Sequence, residues 1–160
     1  MTGAAPSRVH AADRHTGRVT DYQLADRLPT VSEHRALAEA VDWLDHFDYN
    51  SIGHSLDASQ RGVVALSGDD VVGMGRLVGD GSHYFYVQDV IVHPDHTDAG
   101  LATLLVERLL EWVGRVAPAT AFVGLFASPE AVGVYEDLRF ERADTSAQMT
   151  GMYRFVEPTP

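Results

Sequence analysis

The sequence contains no cysteine, which excludes disulfides, thiolate metal sites and a cysteine nucleophile together. Positive charge is scarce as well: Lys and Arg total 12 against 23 Asp and Glu, a formal net charge of −11. Repulsion of that sign opposes encounter with nucleic acid or anionic membranes, so neither is expected as a partner, whereas a small cationic molecule is drawn in. No apolar run approaches the length of a membrane span, and the opening residues, MTGAAPSRVHAADRHTGRVT, lack the apolar centre of a signal peptide. A cytoplasmic location is expected. Low-complexity blocks and internal repeats are missing too. What is present, 160 residues of which 45% are hydrophobic, is enough to bury one core and too little for two.

Residues 1–18 mix small, polar and charged types without period and read as a disordered tail, leaving residues 19–160 as a single domain. VTDYQLADRL alternates as a strand does. In LPTVSEHRALAEAVDWLDHF, Thr30 and Glu33 have the spacing of a capping box, and Val31, Leu37, Ala40, Val41 and Leu44 recur at helical spacing, which predicts a helix of about three turns. NSIGHSLDAS predicts a short second helix. RGVVALSGDDVVGMGRLVGDGSHYFYVQDVIVHP reads as three strands joined by SGDD and GDGS, turns short enough to make them antiparallel neighbours.

From Gly100 the period changes: Leu101, Leu104, Leu105, Arg108, Leu109, Trp112 and Val113 mark a helix with a broad apolar face. TAFVGLFAS is a buried strand, and PEAVGVYEDLRF is a helix with Ser128 as N-cap and Pro129 at its first position. GMYRFVEP alternates as a last strand whose apolar edge calls for cover, so a homodimer is expected. The implied fold class is α/β (α+β): a mixed, mostly antiparallel sheet flanked by about four helices.

This order of elements, with YFYVQDVIVHPDHTDAGLATLLVERLLEWV and FVGLFASPEAVGVYEDLRF, resembles the GCN5-related N-acetyltransferase (GNAT) superfamily over roughly residues 20–156. The resemblance implies that residues 84–93 form a strand splayed from its neighbour, with acetyl-CoA or another acyl-CoA lying in the V. Val90 and Val92 would then offer backbone to the pantetheine, backbone N–H groups from Val90 through Ile91 to Val92 would polarise the thioester carbonyl, and residues 121–127 would form the other wall. The family's pyrophosphate signature maps onto TDAGLA. Gly100 and Ala102, either side of Leu101, keep its small positions, where a helix N-terminus stabilises anions. Thr97, Asp98 and Ala99 depart from the usual Gln or Arg, Gly, and Lys or Arg, and Ser128 stands where many members place asparagine. An aspartate about 5 Å from a phosphate costs on the order of 1–3 kcal/mol, so this cofactor site should be weak.

The resemblance further assigns Tyr135 as the acid that protonates the departing thiolate; a packing role on the apolar helix face is the alternative. Arg139 stands where the family has a helix-capping glycine. Asp89 is a candidate base, directly or through an ordered water, or else a strand aspartate bonded to neighbouring backbone. Trp43, His46, Tyr49 and His54 lie in the region that covers the acceptor pocket in the family, which as a group points to an acceptor with an apolar or flat part; the alternative is a set of half-buried aromatics that close the domain, and Tyr84 and Tyr86 share one strand face near the cleft. His93, Asp95, His96 and Asp98 lack a third strong ligand at diagnostic spacing, so no metal is expected. The function implied is transfer of an acetyl or related acyl group from acyl-CoA to an amine by direct attack. The rivals are an enzyme of the same fold that no longer uses acyl-CoA, of cyclase, lyase or isomerase type, and a non-catalytic binding module.

Overall fold

A computed structural model describes residues 22–144 and Met152. The predicted tail and the predicted last strand, Met152 apart, lie outside the described residues. The chain divides after Gly124 into two compact units.

The first unit is built on a five-stranded sheet in sequential order: β1 (Gln23–Ala25), β2 (Arg61–Ser67), β3 (Asp70–Gly79), β4 (Tyr84–Val92) and β5 (Phe122–Gly124). The first four strands pair antiparallel, as the short turns dictate, and β5 pairs parallel with β4. Helix α1 (Val31–Ala40) starts at the predicted capping box: Glu33 N–H donates to Thr30 Oγ1 at 3.2 Å, and Thr30 N–H donates to Glu33 Oε2 at 2.7 Å. Arg27 adds two bonds to the same carboxylate, at 2.7 and 2.8 Å. The short α2 (Ile52–Asp57) follows.

The two sheet faces carry different cores. On one face Leu37 and Ala38 of α1 pack with Val64, Met74 and Ile91. Helix α3 (Leu101–Val116) covers the other, burying Leu101, Leu105, Val106, Leu109 and Val113. It lies close against the sheet because β3 presents glycine beneath it. A Cβ at Gly75 would sit 3.3 Å from Leu109 Cδ1, and one at Gly73 would sit 3.2 Å from Leu105 Cδ1. Arg108, counted with the apolar face in the sequence, instead holds Asp26 at 2.7 and 2.9 Å on the exposed flank.

Two expectations require correction. The apolar run of residues 121–127 is a strand only over Phe122–Gly124, because pairing with β4 ends at Tyr86–Gly124. In the second unit Ser128 precedes a 3₁₀ turn (Pro129–Ala131) rather than an α-helix, and its side chain makes no capping bond. Pro129 tightens that first turn, and α4 (Val132–Asp137) follows it.

Helix α4 ends in a Schellman arrangement. Phe140 N–H donates to Tyr135 O and Arg139 N–H to Glu136 O, both at 2.9 Å. Arg139 adopts the left-handed conformation, φ 65°, which the resemblance anticipated by placing it at a glycine position. It is exposed, so packing contributes little to offset the strain. Arg139→Gly is therefore expected to stabilise the protein by about 1 kcal/mol, raising Tm by about 2–4 °C. An unchanged or lower Tm in calorimetry would contradict this.

Candidate active site

The centre of the first unit is a fault in the ladder between β3 and β4. Arg76 pairs with Gln88 and Met74 with Ile91, so Gly75 alone faces both Asp89 and Val90. One extra residue on β4 is a β-bulge, and Asp89 takes the left-handed conformation there, φ 51°. Aspartate tolerates this better than most side chains. The bulge inverts the alternation of β4. Phe85 and Val87 precede it on the α3 face, where Phe85 meets Trp112 edge-on with ring centroids 6.1 Å apart, whereas Ile91 beyond it joins the α1 core.

The bulge also leaves polar side chains of β3 and β4 under α1 and α2. Asp89 and His34 are buried, at 6% and 0% exposure. Asp89 Oδ2 accepts from Arg76 Nε at 2.7 Å and from His34 Nε2 at 3.2 Å, while Gln88 Nε2 donates to Oδ1 at 2.6 Å. Arg76 Nη1 continues to Ser55 O, Ser55 Oγ and Ser59 Oγ at 3.0–3.3 Å. On the far side of the imidazole, His34 Nδ1 lies 3.0 Å from the Tyr49 hydroxyl, and Phe47 meets the imidazole edge-on at 4.6 Å. Burial alone would raise the Asp89 pKa, but the His34 hydrogen bond, the Arg76 charge and the Gln88 amide together hold it below the ordinary carboxylate range. A carboxylate held this way is a weak direct base.

Strand β4 outlasts its parallel neighbour. Its pairs with β5 are Tyr84–Phe122, Phe85–Val123 and Tyr86–Gly124, and β4 then runs on to Val92. Along that edge, Val90, Ile91 and Val92 have no strand partner among the described residues of this unit. At the end of β4 the chain makes a 3₁₀ turn (Pro94–Ala99), and Gly100, φ 70°, redirects it into α3. A Cβ at Gly100 would meet no atom within 4 Å. No side chain caps α3, so the first-turn amides after Gly100, including Leu101 and Ala102, are an anion-binding arrangement. Ala99 is buried behind them, Asp98 is exposed, and the Thr97 hydroxyl donates to Pro94 O at 3.1 Å.

A family model for the acetyltransferase (GNAT) family matches residues 24–140. The chain belongs to that family. The GNAT chain resembles a GNAT family acetyltransferase from Streptococcus pneumoniae, 29% identical with a TM-score of 0.71, covering 86% of this chain and 99% of that one. A protein of unknown function from meticillin-resistant Staphylococcus aureus superposes with a TM-score of 0.75 at 22% identity, over 84% of this chain and 99% of the other. Among curated relatives, an uncharacterized N-acetyltransferase, ycf52, of Pyropia yezoensis is 30% identical over 70 residues. That match spans 44% of this chain and 39% of the relative, so the GNAT chain covers about two-fifths of that relative's length.

The remaining sequence-derived positions are dispersed. Trp43 is 37% exposed, His54 lies at the surface of α2, and neither enters the hydrogen bonds around Asp89. Tyr84 and Tyr86 share the sheet face of Gln88 by strand alternation, Tyr84 exposed and Tyr86 half-buried. Tyr135 lies on α4 in the second unit, where its ring meets Phe140 edge-on at 5.9 Å. This is the apolar contact that accompanies a Schellman cap. Among the described residues no group of three or more His, Cys, Asp or Glu gathers to hold a metal ion, and no helix is long and apolar enough to cross a membrane.

His34 and Arg76 were not singled out from the sequence. Both carried a signal. His34 precedes Leu37, Ala38 and Val41 at helical spacing on the buried face, and Arg76 interrupts an apolar strand. A lone polar group in each pattern requires a buried partner.

Proposed function

We propose that the protein moves an acetyl or related acyl group from its CoA thioester to the amine of a small cationic acceptor, in the cytoplasm. The observation that carries this reading is the β4 edge that outlasts β5 beside the bulge, leading into the uncapped N-terminus of α3. The backbone along Val90, Ile91 and Val92 takes the pantetheine and polarises the carbonyl, and the amides after Gly100 take the pyrophosphate. The reaction is direct attack with both substrates held side by side. The amine lone pair forms the C–N bond as the amine proton passes to a base on the Asp89 side of the cleft, the C–S pair leaves on sulfur, and the Tyr135 hydroxyl protonates the thiolate and regains its proton from solvent. Trp43, His54, Tyr84 and Tyr86 are proposed to line the acceptor side. The excess of acidic residues favours a cationic acceptor.

One observation favours the second reading, a fold-retaining enzyme of cyclase, lyase or isomerase type that takes no acyl-CoA. The pyrophosphate turn exposes a carboxylate at Asp98 and ties the Thr97 hydroxyl to its own backbone. Calorimetric titration with acetyl-CoA separates the two. The acyl-transfer reading expects saturable binding that Asp98→Gly tightens by about tenfold at low salt, with the gain shrinking as salt rises. Absence of heat from both proteins would favour the second reading, and tight binding indifferent to the substitution would remove Asp98 from the site.

A further inference from the structure

The hydrogen bonds around His34 have a direction. Asp89, with Arg76 on the same oxygen, is an ionised carboxylate and only accepts, so His34 Nε2 carries a hydrogen. In the neutral ring Nδ1 is then the acceptor, and the Tyr49 hydroxyl donates to it across 3.0 Å. His34 is fully buried, whereas Tyr49 is half-buried, so Tyr49 is the residue of this pair with access to solvent. Tyr49 lies in the connection between α1 and α2, on the sheet face that carries Gln88 and to which the bulge turns Asp89. The groups around the imidazole are Tyr49 and Phe47 from that connection, Asp89 from β4 and, through Asp89, Arg76 from β3. Arg35 of α1 stacks on the Tyr49 ring with its guanidinium carbon 5.1 Å from the centroid.

Resting on the acyl-transfer reading, we propose that Tyr49, His34 and Asp89 form a proton relay that deprotonates the attacking amine. Tyr49 is the catalytic residue, and His34 and Asp89 act through it. As the amine nitrogen bonds to the thioester carbon, its proton passes to the Tyr49 oxygen while the Tyr49 proton passes to His34 Nδ1. The resulting imidazolium keeps its Nε2 hydrogen on Asp89 Oδ2, so the charge that forms is met by a carboxylate already in place. The proton returns through Tyr49 to solvent after product leaves. A tyrosinate need not accumulate, which matters because burial, with a contribution from the Asp89 charge, raises the Tyr49 pKa although Arg35 opposes it. Arg76 keeps Asp89 ionised throughout, so the proton stops at histidine.

The test compares wild type with Tyr49→Phe in acetyl-CoA thiol release with spermidine, kanamycin and L-arginine, and records the ratio of their kcat/KM values at pH 8. The acceptor's own ionisation is common to both proteins and cancels in the ratio. The relay predicts a ratio of about 10² or more at pH 8, with Tm lowered by only a few degrees as His34 Nδ1 loses its donor. A ratio near one overturns the relay and leaves acyl transfer standing. No thiol release by wild type, together with no calorimetric binding of acetyl-CoA, overturns acyl transfer and the relay with it. Nitrogen-15 NMR of the histidines provides a readout that needs no turnover: His34 is expected in the Nε2–H form, with an Nδ1 signal that moves in Tyr49→Phe. A proton resident on Nδ1 alone in the neutral ring overturns the relay whatever the kinetics.

Discussion

Arg76→Leu is expected to lower Tm at neutral pH by about 10 °C, the result of removing one partner from a buried ion pair at a cost of about 3–5 kcal/mol. Arg76 Nε contacts Asp89 Oδ2 at 2.7 Å, and both side chains are almost wholly enclosed. Without the guanidinium, burial of the carboxylate is opposed only by the His34 and Gln88 hydrogen bonds. The effect should depend on pH in a defined sense. The native Asp89 pKa is depressed, so its contribution is present above the unfolded carboxylate value of about 3.9 and is lost as pH falls through the native one. The gap in Tm between wild type and variant is therefore full at pH 7 and narrows at pH 3.5. Thermal melts at the two pH values check this, and an equal gap at both would show that the loss is one of packing rather than charge.

Tyr135→Phe is expected to lower turnover by about 10² to 10⁴ while leaving acetyl-CoA affinity nearly unchanged. The substitution removes one oxygen and keeps the ring that packs on Phe140, so the cap of α4 and the course of the chain around it are preserved. The proposed acid acts on the leaving thiolate, which does not exist in the bound ground state, so the loss belongs in kcat rather than in binding. Steady-state kinetics with calorimetry of both proteins separates the two terms. Turnover unaffected by the substitution would leave Tyr135 its packing role alone.

Much of the fold was legible because local signals and tertiary structure agree. The capping box at Thr30 and Glu33 starts α1 where the side-chain spacing places it, SGDD and GDGS set the antiparallel order of β2, β3 and β4, and Gly100 opens α3 in the left-handed conformation. The bulge was not legible. YFYVQDVIV alternates as an unbroken strand, and nothing in it marks the residue that gains a second place opposite Gly75. That single insertion turns Asp89 toward His34 and Arg76, residues 55 and 13 positions away, so its surroundings follow from register between strands rather than from any local pattern. The length of β5 was overread for a related reason: the apolar run persists past Gly124, but a strand needs a partner, and pairing ends there. Tyr49 was named with the residues covering the acceptor pocket, but its bond to His34 depends on how the α1–α2 connection folds back.

The central claim is that the open edge of β4 and the turn at Gly100 serve acyl transfer to an amine. Release of free thiol from acetyl-CoA by the wild-type protein, followed across polyamines, aminoglycosides and amino acids, tests it most directly. The account predicts release that requires both protein and a cationic amine and that saturates with each substrate. No amine-dependent release from any of them, with no heat on titration of acetyl-CoA, would contradict it.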